Sequence, residues 1–241
     1  MKTFSRTDTG RRREMNQDYV YTSETPVGNL PNLLILADGM GGHNAGDYAS
    51  RYTVEMIVDF VRNSSETSPV AIIREAIRRA NRAVMEKAQT DIDLEGMGTT
   101  VVVATVKEKE LCVANVGDSR LYIAGRDFRQ ITKDHSYVQE MVRRGEISPE
   151  VARIHPDRNI ITRAVGGWND IEVDFFEVEL EEGDQILMCS DGLTDMLEDE
   201  EIFEIINEKQ EKEEVLDALI EAANEYGGND NITVILTEAF S

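Results

Sequence analysis

The sequence predicts an α+β protein in which helices cover the outer faces of a β-sandwich. Three observations carry this. The runs "TTVVVATV", "ELCVANVG", "RLYIAG" and "FRQIT" follow one another with only short polar turns between them, the pattern of consecutive antiparallel strands. The helical segments come in adjacent pairs and do not alternate with strands, which disfavours a doubly wound parallel sheet. No Pro-, Gly- or Ser-rich linker interrupts the 241 residues, and a hydrophobic fraction of 41% suffices for a sizeable core. One domain over residues 1–241 is expected.

The elements follow in order. Residues 2–6 and 18–22 read as short strands around the basic turn "TGRRREMNQ", and 33–37 as an apolar strand ending at Asp38. From Gly46 to Arg62 the spacing is helical, with Ala49, Tyr52, Met56, Ile57 and Phe60 near one face. The next helix opens with Ser68 as N-cap and Pro69 in the first helical position, where a missing N–H costs nothing. Its apolar positions Ile73, Ile77, Ala80, Val84 and Ala88 lie on one stripe, so the two helices are expected to pair antiparallel. After the four strand-like runs, residues 136–155 read as short helical pieces, and 156–170 has no clear period and reads as a mobile flap. "EVDFFEVEL", "EEGD" and "QILMCS" read as a hairpin. Residues 199–209 and 213–226 form a second helix pair, stopped by Gly227–Gly228, and "NITVILTEA" is a last strand.

Charge narrows the function classes. With 25 Lys+Arg against 47 Asp+Glu the formal net charge is −22, which argues against nucleic acid or an anionic membrane as partner and is compatible with cations. Most of these acids are expected only to solvate the surface. There is no apolar run of the roughly 18 residues that a membrane span requires, and "MKTFSRTDTGRRRE" lacks the apolar stretch of a signal peptide. A cytoplasmic protein is expected. Cys112 and Cys189 lie in apolar strand-like runs and read as buried, reduced thiols.

Position says more than number. Asp38, Asp118 and Asp191 each end an apolar run, Asp230 immediately precedes one, and Asp18 opens one. Any single Asp-Gly is more often a turn than a ligand. Together, strand tips at one end of a sandwich can converge on a rigid scaffold. Clustered carboxylates repel unless a cation intervenes, and oxygen ligands without a Cys or His cluster suit Mg²⁺ or Mn²⁺ better than Zn²⁺. Small residues beside Asp38 let the Gly39 carbonyl approach such an ion. Two ions about 3.5–4 Å apart can share one carboxylate and activate a water for attack at phosphorus. A phosphoryl group also needs a fixed cation, and Arg11, Arg12 and Arg13 are all near Asp18. Spacing alone does not choose among the three.

With those motifs in place, the chain resembles the metal-dependent protein phosphatases of the protein phosphatase 2C type, in their bacterial single-domain form. The matching stretches run in the family's order: "GRRREMNQD" (10–18), "ADGMGGHNAG" (37–46), "GMGTT" (96–100), "NVGDSRLY" (115–122), "TKDHS" (132–136), "ITRAVG" (161–166), "SDGL" (190–193) and "GNDNIT" (228–233). The resemblance implies a four-layer α-β-β-α sandwich of two antiparallel sheets flanked by helix pairs. It implies hydrolysis of phosphoserine and phosphothreonine in proteins, dependent on two Mn²⁺ or Mg²⁺ ions with a third, weaker one. Asp38 matches the bridging carboxylate, Gly39 the carbonyl ligand, Asp191 and Asp230 the other metal's shell, and Asp18 an acid that holds metal-bound waters. Arg13 fits the phosphate-gripping place in G-x-x-R-x-x-N-x-D, and Asp118, with Asp191, the third metal's position. The family's flap falls at 145–170. Many eukaryotic members carry a histidine directly after the Asp-Gly as general acid. Here that place is Met40, so His43 is the candidate general acid and a water its alternative. His135 reads as a local hydrogen-bonding residue and His155 as a flap residue. The implied partners are phosphorylated proteins and a cognate serine/threonine kinase, with the chain as a monomer. A phosphatase of small phosphate esters and a non-catalytic phosphoprotein-binding module are the alternatives.

Overall fold

A computed structural model of the chain describes residues 1–42 and 45–240. Its strands are β1 (Lys2–Asp8), β2 (Asp18–Ser23), β3 (Leu33–Met40), β4 (Gly98–Thr99), β5 (Val101–Lys107), β6 (Glu110–Val116), β7 (Arg120–Ala124), β8 (Phe128–Gln130), β9 (Asp174–Glu179), β10 (Gln185–Cys189) and β11 (Ile232–Glu238). Its α-helices are α1 (Ala45–Asn63), α2 (Pro69–Thr90), α3 (Tyr137–Arg143), α4 (Pro149–Arg153), α5 (Asp191–Thr194), α6 (Asp199–Glu208) and α7 (Lys212–Glu225). One sheet has the order β1-β11-β10-β7-β8; the other runs β2-β3-β5-β6-β9, with β4 paired to β3. All strand pairings are antiparallel.

The sheets stack because the buried strands are apolar on both faces, and side chains alternate across a strand. Leu34 and Leu36 of β3, Val102 and Ala104 of β5, Ile186 and Met188 of β10 and Ile235 of β11 fill the seam between the sheets. Their immediate neighbours along each strand face outward. Leu33, Ile35, Val101 and Val103 pack under Ile57, Val61, Ile73 and Ile77 of α1 and α2. Leu187, Val234 and Leu236 pack under Ile202, Ile206, Leu216 and Leu219 of α6 and α7. The result is the expected helix, sheet, sheet, helix layering. Ser68 caps α2, its Oγ accepting from Ala71 N at 3.5 Å, ahead of Pro69 in the first turn.

Two sequence expectations change. β9 and β10 are not a hairpin. β9 pairs with β6 in one sheet, while β10 pairs with β7 and β11 in the other. The turn between them crosses the seam, since Phe176 and Val178 face Ile186 and Met188 across it. Nor does β3 stop at Asp38: the strand continues through Gly39 and Met40, which pair with Thr99 and Gly98. Residues 156–170 have little regular structure, but bridges from Ser136 to Ile161 and from Thr99 to Val165 tie them to the body. No helix among the described residues is long and apolar enough to cross a membrane.

Candidate active site

Strand parity places the first acids. Leu34 and Leu36 point into the seam, so Asp38, two residues on, points into its open end. Val20 packs against the same seam, and Asp18, two residues earlier, stands directly opposite Asp38 in the β2–β3 register. From the other sheet, Ser190 follows Met188 by two residues. Its hydroxyl donates to Asp18 Oδ2 at 2.8 Å and accepts from Thr233 N at 3.0 Å. The ends of β2, β3, β10 and β11 therefore meet around one carboxylate pair.

Loops bring the rest. Asp191 opens α5, after Ser190. Asp118 lies in the bend after β6, and Asp230 precedes β11. Arg13 Nη2 donates to Asp230 Oδ2 at 2.7 Å. Arg13, Asp38, Gly39, Asp118, Asp191 and Asp230 all line one pocket of about 200 Å³. Asp18 is buried behind it. Of the candidate residues, only His43 lies outside the described residues. The glycines beside two of these acids are required by close packing. A Cβ on Gly39 would drive into the carbonyl oxygens of Gly46 and Gln17, and one on Gly192 into that of Asn231.

Electrostatics sets this pocket apart. Burial and then the charges of Asp18, Asp191, Asp118 and Asp230 push the Asp38 carboxyl well above the usual carboxylate range. Burial, with Asp118 and Asp195 next, does the same to Asp191. Asp18 is pushed up to about 7 by burial, against the opposing hydrogen bonds from Thr233 and Ser190. Asp118 is also pushed up to about 7, by burial and then Asp134. Asp18 Oδ1 and Asp191 Oδ1 are buried with no hydrogen-bond partner, and a buried polar atom without one is costly. A site that gathers acids, buries them wholly or in part and leaves an oxygen of Asp18 and one of Asp191 unpartnered fits hard divalent cations. Among the described residues no three Asp, Glu, His or Cys side chains close into a finished cage. The carboxylates stand around the pocket walls, one of them held by Arg13.

Several supporting residues carried no assigned role in the sequence reading. Thr100 Oγ1 accepts from Asp38 N at 3.1 Å, and Thr100 N donates to Asp38 O at 2.9 Å, fixing the backbone that carries the carboxylate. Asn231 Oδ1 accepts from Gln17 N at 2.8 Å. Its Nδ2 donates to Thr9 O at 3.0 Å and Met15 O at 2.8 Å, bracketing the arginine turn. Asn159 and Ile161, in the segment expected as a flap, also line the pocket. Thr100, Ser190, Asn231 and Ile161 stand inside the quoted motifs "GMGTT", "SDGL", "GNDNIT" and "ITRAVG", which was the available signal; Asn159 had none.

The described histidines stay out of the pocket lining. His135 is buried, accepting from Gly117 N at 3.0 Å through Nδ1 and facing Asp174 Oδ2 at 3.2 Å through Nε2. Burial lowers its pKa. It is the local hydrogen-bonding residue expected. His155 Nδ1 accepts from Asp157 N at 3.1 Å. Cys112 and Cys189 are free and buried, as expected. The segment expected as a flap is tied to the loop after α5 by Arg158 Nε on Asp195 Oδ2 at 3.1 Å and by Arg153 Nε on Glu198 Oε1 at 2.9 Å.

Comparison with known proteins agrees with the architecture and the motif order. A family model described as protein phosphatase 2C matches residues 8–237. The serine/threonine phosphatase stp of Listeria monocytogenes serovar 1/2a is 43% identical over 238 residues, covering 97% of this chain and 94% of that protein. The crystal structure of serine/threonine phosphatase Stp1 from Staphylococcus aureus superposes with a TM-score of 0.93 at 36% identity, over 100% of this chain and 95% of that one. The catalytic domain of the serine/threonine protein phosphatase PstP, solved with two manganese ions, has a TM-score of 0.85 at 36% identity, over 98% of this chain and 96% of that one. A matched family model over nearly the whole length, a shared fold and a clustered set of motif acids lead to one conclusion: the chain belongs to the protein phosphatase 2C family.

Proposed function

We propose that the chain hydrolyses phosphoserine and phosphothreonine in proteins at this pocket, as a Mn²⁺- or Mg²⁺-dependent serine/threonine phosphatase. The observation that carries the reading is the convergence of Asp38, Asp118, Asp191 and Asp230 with the single guanidinium of Arg13 on one small pocket. Crowded carboxylates serve hard cations. A guanidinium among them gives an oxyanion a partner where the acids alone would repel it.

Asp38 would be shared between two ions, with the Gly39 carbonyl on one and Asp191 and Asp230 on the other. Asp118, with Asp191, would serve a third, weaker ion, and Asp18 would orient water from behind. When bound, the ions supply Lewis acidity, lowering the pKa of the attacking water and offsetting charge on the phosphoryl oxygens. Arg13 grips the peripheral phosphoryl oxygens and stabilises the charge they gain as the bond to the serine or threonine oxygen breaks. Ser190 and Thr100 hold Asp18 and the Asp38 backbone in place. The flap, 145–170, closes one wall with Asn159 and Ile161 and limits bulk water. Protonation of the leaving oxygen falls to His43 or to water, since neither His135 nor His155 lines the pocket. A cysteine phosphoenzyme is disfavoured: burial pushes the Cys112 thiol up to about 11, raises that of Cys189 further, and neither lines the pocket.

The proposal extends to setting. Residues 1–241 act as one catalytic domain and as a monomer in the cytoplasm, on the products of a serine/threonine kinase. A net charge of −22 supports protein over nucleic acid or membrane as the partner. The test is release of phosphate from a phosphothreonine peptide with Mn²⁺, with Mg²⁺ and with EDTA. Turnover with either ion and none in EDTA is expected. Undiminished turnover in EDTA would sink the metal reading, and Mn²⁺ binding without turnover would replace the enzyme with a phosphoprotein-binding module.

A further inference from the structure

We propose that Arg11 and Arg12 form an anion-accepting rim beside the phosphate site, so that preferred substrates carry an anionic group, carboxylate or second phosphoryl, within about two or three residues of the phosphoresidue. The inference rests on the phosphatase reading and adds a substrate class to it.

The turn that carries the three arginines is built rigidly. Arg11 N and Arg12 N both donate to Gly228 O, at 2.8 and 3.2 Å. Gly10 N donates to Asp8 Oδ1 at 2.8 Å, and Asn231 Nδ2 holds both flanks of the turn by donating to Thr9 O and Met15 O. Of the three guanidiniums, Arg13 alone goes to the pocket, where it meets Asp230. Arg11 and Arg12 are exposed, and among the described residues neither guanidinium has an ion-pair or hydrogen-bond partner.

The chain has 47 acids for 25 Lys+Arg, and exposed bases on it divide between paired and unpaired, Arg78 of α2 being another that closes on no acid among the described residues. Arg6, Arg51 and Arg79, exposed on other elements, each close on an acid at 2.7 to 3.0 Å. Even Glu14, exposed on the same stretch as Arg11 and Arg12, closes on neither. The turn therefore presents two unneutralised cations, on a fixed backbone, next to the residue that receives the phosphate. Arg11 and Arg13 Cα atoms are at most about 7.6 Å apart across two peptide links, roughly two steps of an extended peptide. A substrate whose phosphate sits on Arg13 thus carries its flanking side chains past Arg11 and Arg12. Elsewhere the field of a −22 protein repels such a substrate; a local basic rim restores attraction where it matters for docking.

The test uses the full chain with Mn²⁺ and the double variant Arg11→Gln/Arg12→Gln. Four substrates are compared: a phosphothreonine peptide with Asp or Glu two and three residues from the target, the same peptide with a second phosphothreonine there, the same peptide with Asn there, and a small aryl phosphate. The wild type is expected to prefer the anionic peptides over the Asn peptide about three- to tenfold in kcat/KM, mostly through KM, as exposed ion pairs allow. The preference should shrink in 0.5 M salt, where the Debye length falls to a few ångströms. The double variant should lose it and leave the Asn peptide and the aryl phosphate unchanged. A preference confined to the diphosphorylated peptide assigns the rim to phosphate. Equal rates on all peptides in the wild type, an unchanged preference in the variant, or a uniform loss on every substrate overturns the proposal. Wild-type protein inactive on every phosphopeptide but active on the aryl phosphate would overturn the protein-phosphatase reading instead.

Discussion

Arg13 shows how much a single side chain carries. Its guanidinium is half exposed, bonded to Asp230 and on the wall of the acid pocket. Asp230 raises the Arg13 pKa first through this hydrogen bond, with further support from Asp191 and Asp38, so the group is permanently charged. A hydrogen bond to a charged partner contributes about 1.5–3 kcal/mol, which corresponds to roughly ten- to a hundredfold in binding. Arg13→Ala is therefore expected to raise KM for a phosphothreonine peptide by about that factor, with a smaller fall in kcat. Arg13→Lys should recover part of it, because the charge remains and the two-pronged geometry is lost. Steady-state kinetics with saturating Mn²⁺ checks this, and an unchanged KM in Arg13→Ala would remove it as the phosphate grip. Three consecutive arginines were legible in the sequence, but which one turns inward was not a matter of spacing. It depends on hydrogen bonds from Arg11 N and Arg12 N to Gly228 and from Asn231 to Thr9 and Met15, partners some 215 residues away in sequence. Only the family pattern singled out Arg13.

At the scale of elements, the strands were legible because alternation is written directly in the side chains, as in "LLILA" and "QILMC". Their partners were not. Glu181 and Asp184 close a tight local turn, with Glu181 N donating to Asp184 Oδ2 at 2.8 Å, and a tight turn between two strand-like runs reads as a hairpin. Whether the runs meet edge to edge or face to face is decided by what else can bury them. β9 finds β6, and β10 is already flanked by β7 and β11. The same seam makes Ser190 a joint between elements. Fully buried at the end of β10, it donates to Asp18 of β2 and accepts from Thr233 N of β11. Ser190→Ala leaves a backbone N–H and a carboxylate oxygen without that partner, at a cost of about 1–3 kcal/mol. For a chain of this size a loss of 1 kcal/mol lowers Tm by about 2–4 °C. We expect a Tm lower by several degrees and a Mn²⁺ activation midpoint shifted to higher concentration, since Asp18 is no longer tethered. Thermal melts and Mn²⁺ titrations of activity check both. A lower Tm with an unmoved midpoint would make Ser190 a packing residue with no part in holding the acids.

For the molecule as a whole, the acid cluster sets function against stability. Asp18 rises from 3.8 to about 7 in the folded chain, largely through burial, and Asp118 to about 7 as well. Folded protein without cations therefore binds more protons than unfolded protein between roughly pH 4 and pH 7. Stability linked to these groups is fully present below the unfolded pKa and is lost as pH rises through the folded one. For Asp18 alone the rise corresponds to on the order of 4 kcal/mol, and the members of a crowded cluster share such costs and do not add them. Cations compete with those protons and reverse the penalty, because ligands must be deprotonated to bind. In EDTA, Tm is expected to fall as pH is raised from 5 to 8, while the gain on adding Mn²⁺ grows over the same range. Neutralising one member should separate the two demands. Asp38 faces four like charges, so Asp38→Asn should raise Tm in EDTA at pH 8 by several degrees, abolish the Mn²⁺-dependent gain and abolish turnover. The isosteric amide also offers a donor to the unpartnered Asp18 and Asp191 oxygens. If Asp38→Asn melts no higher than the wild type in EDTA at pH 8, the acids do not repel in the folded chain, and the electrostatic argument for cations between them fails with it.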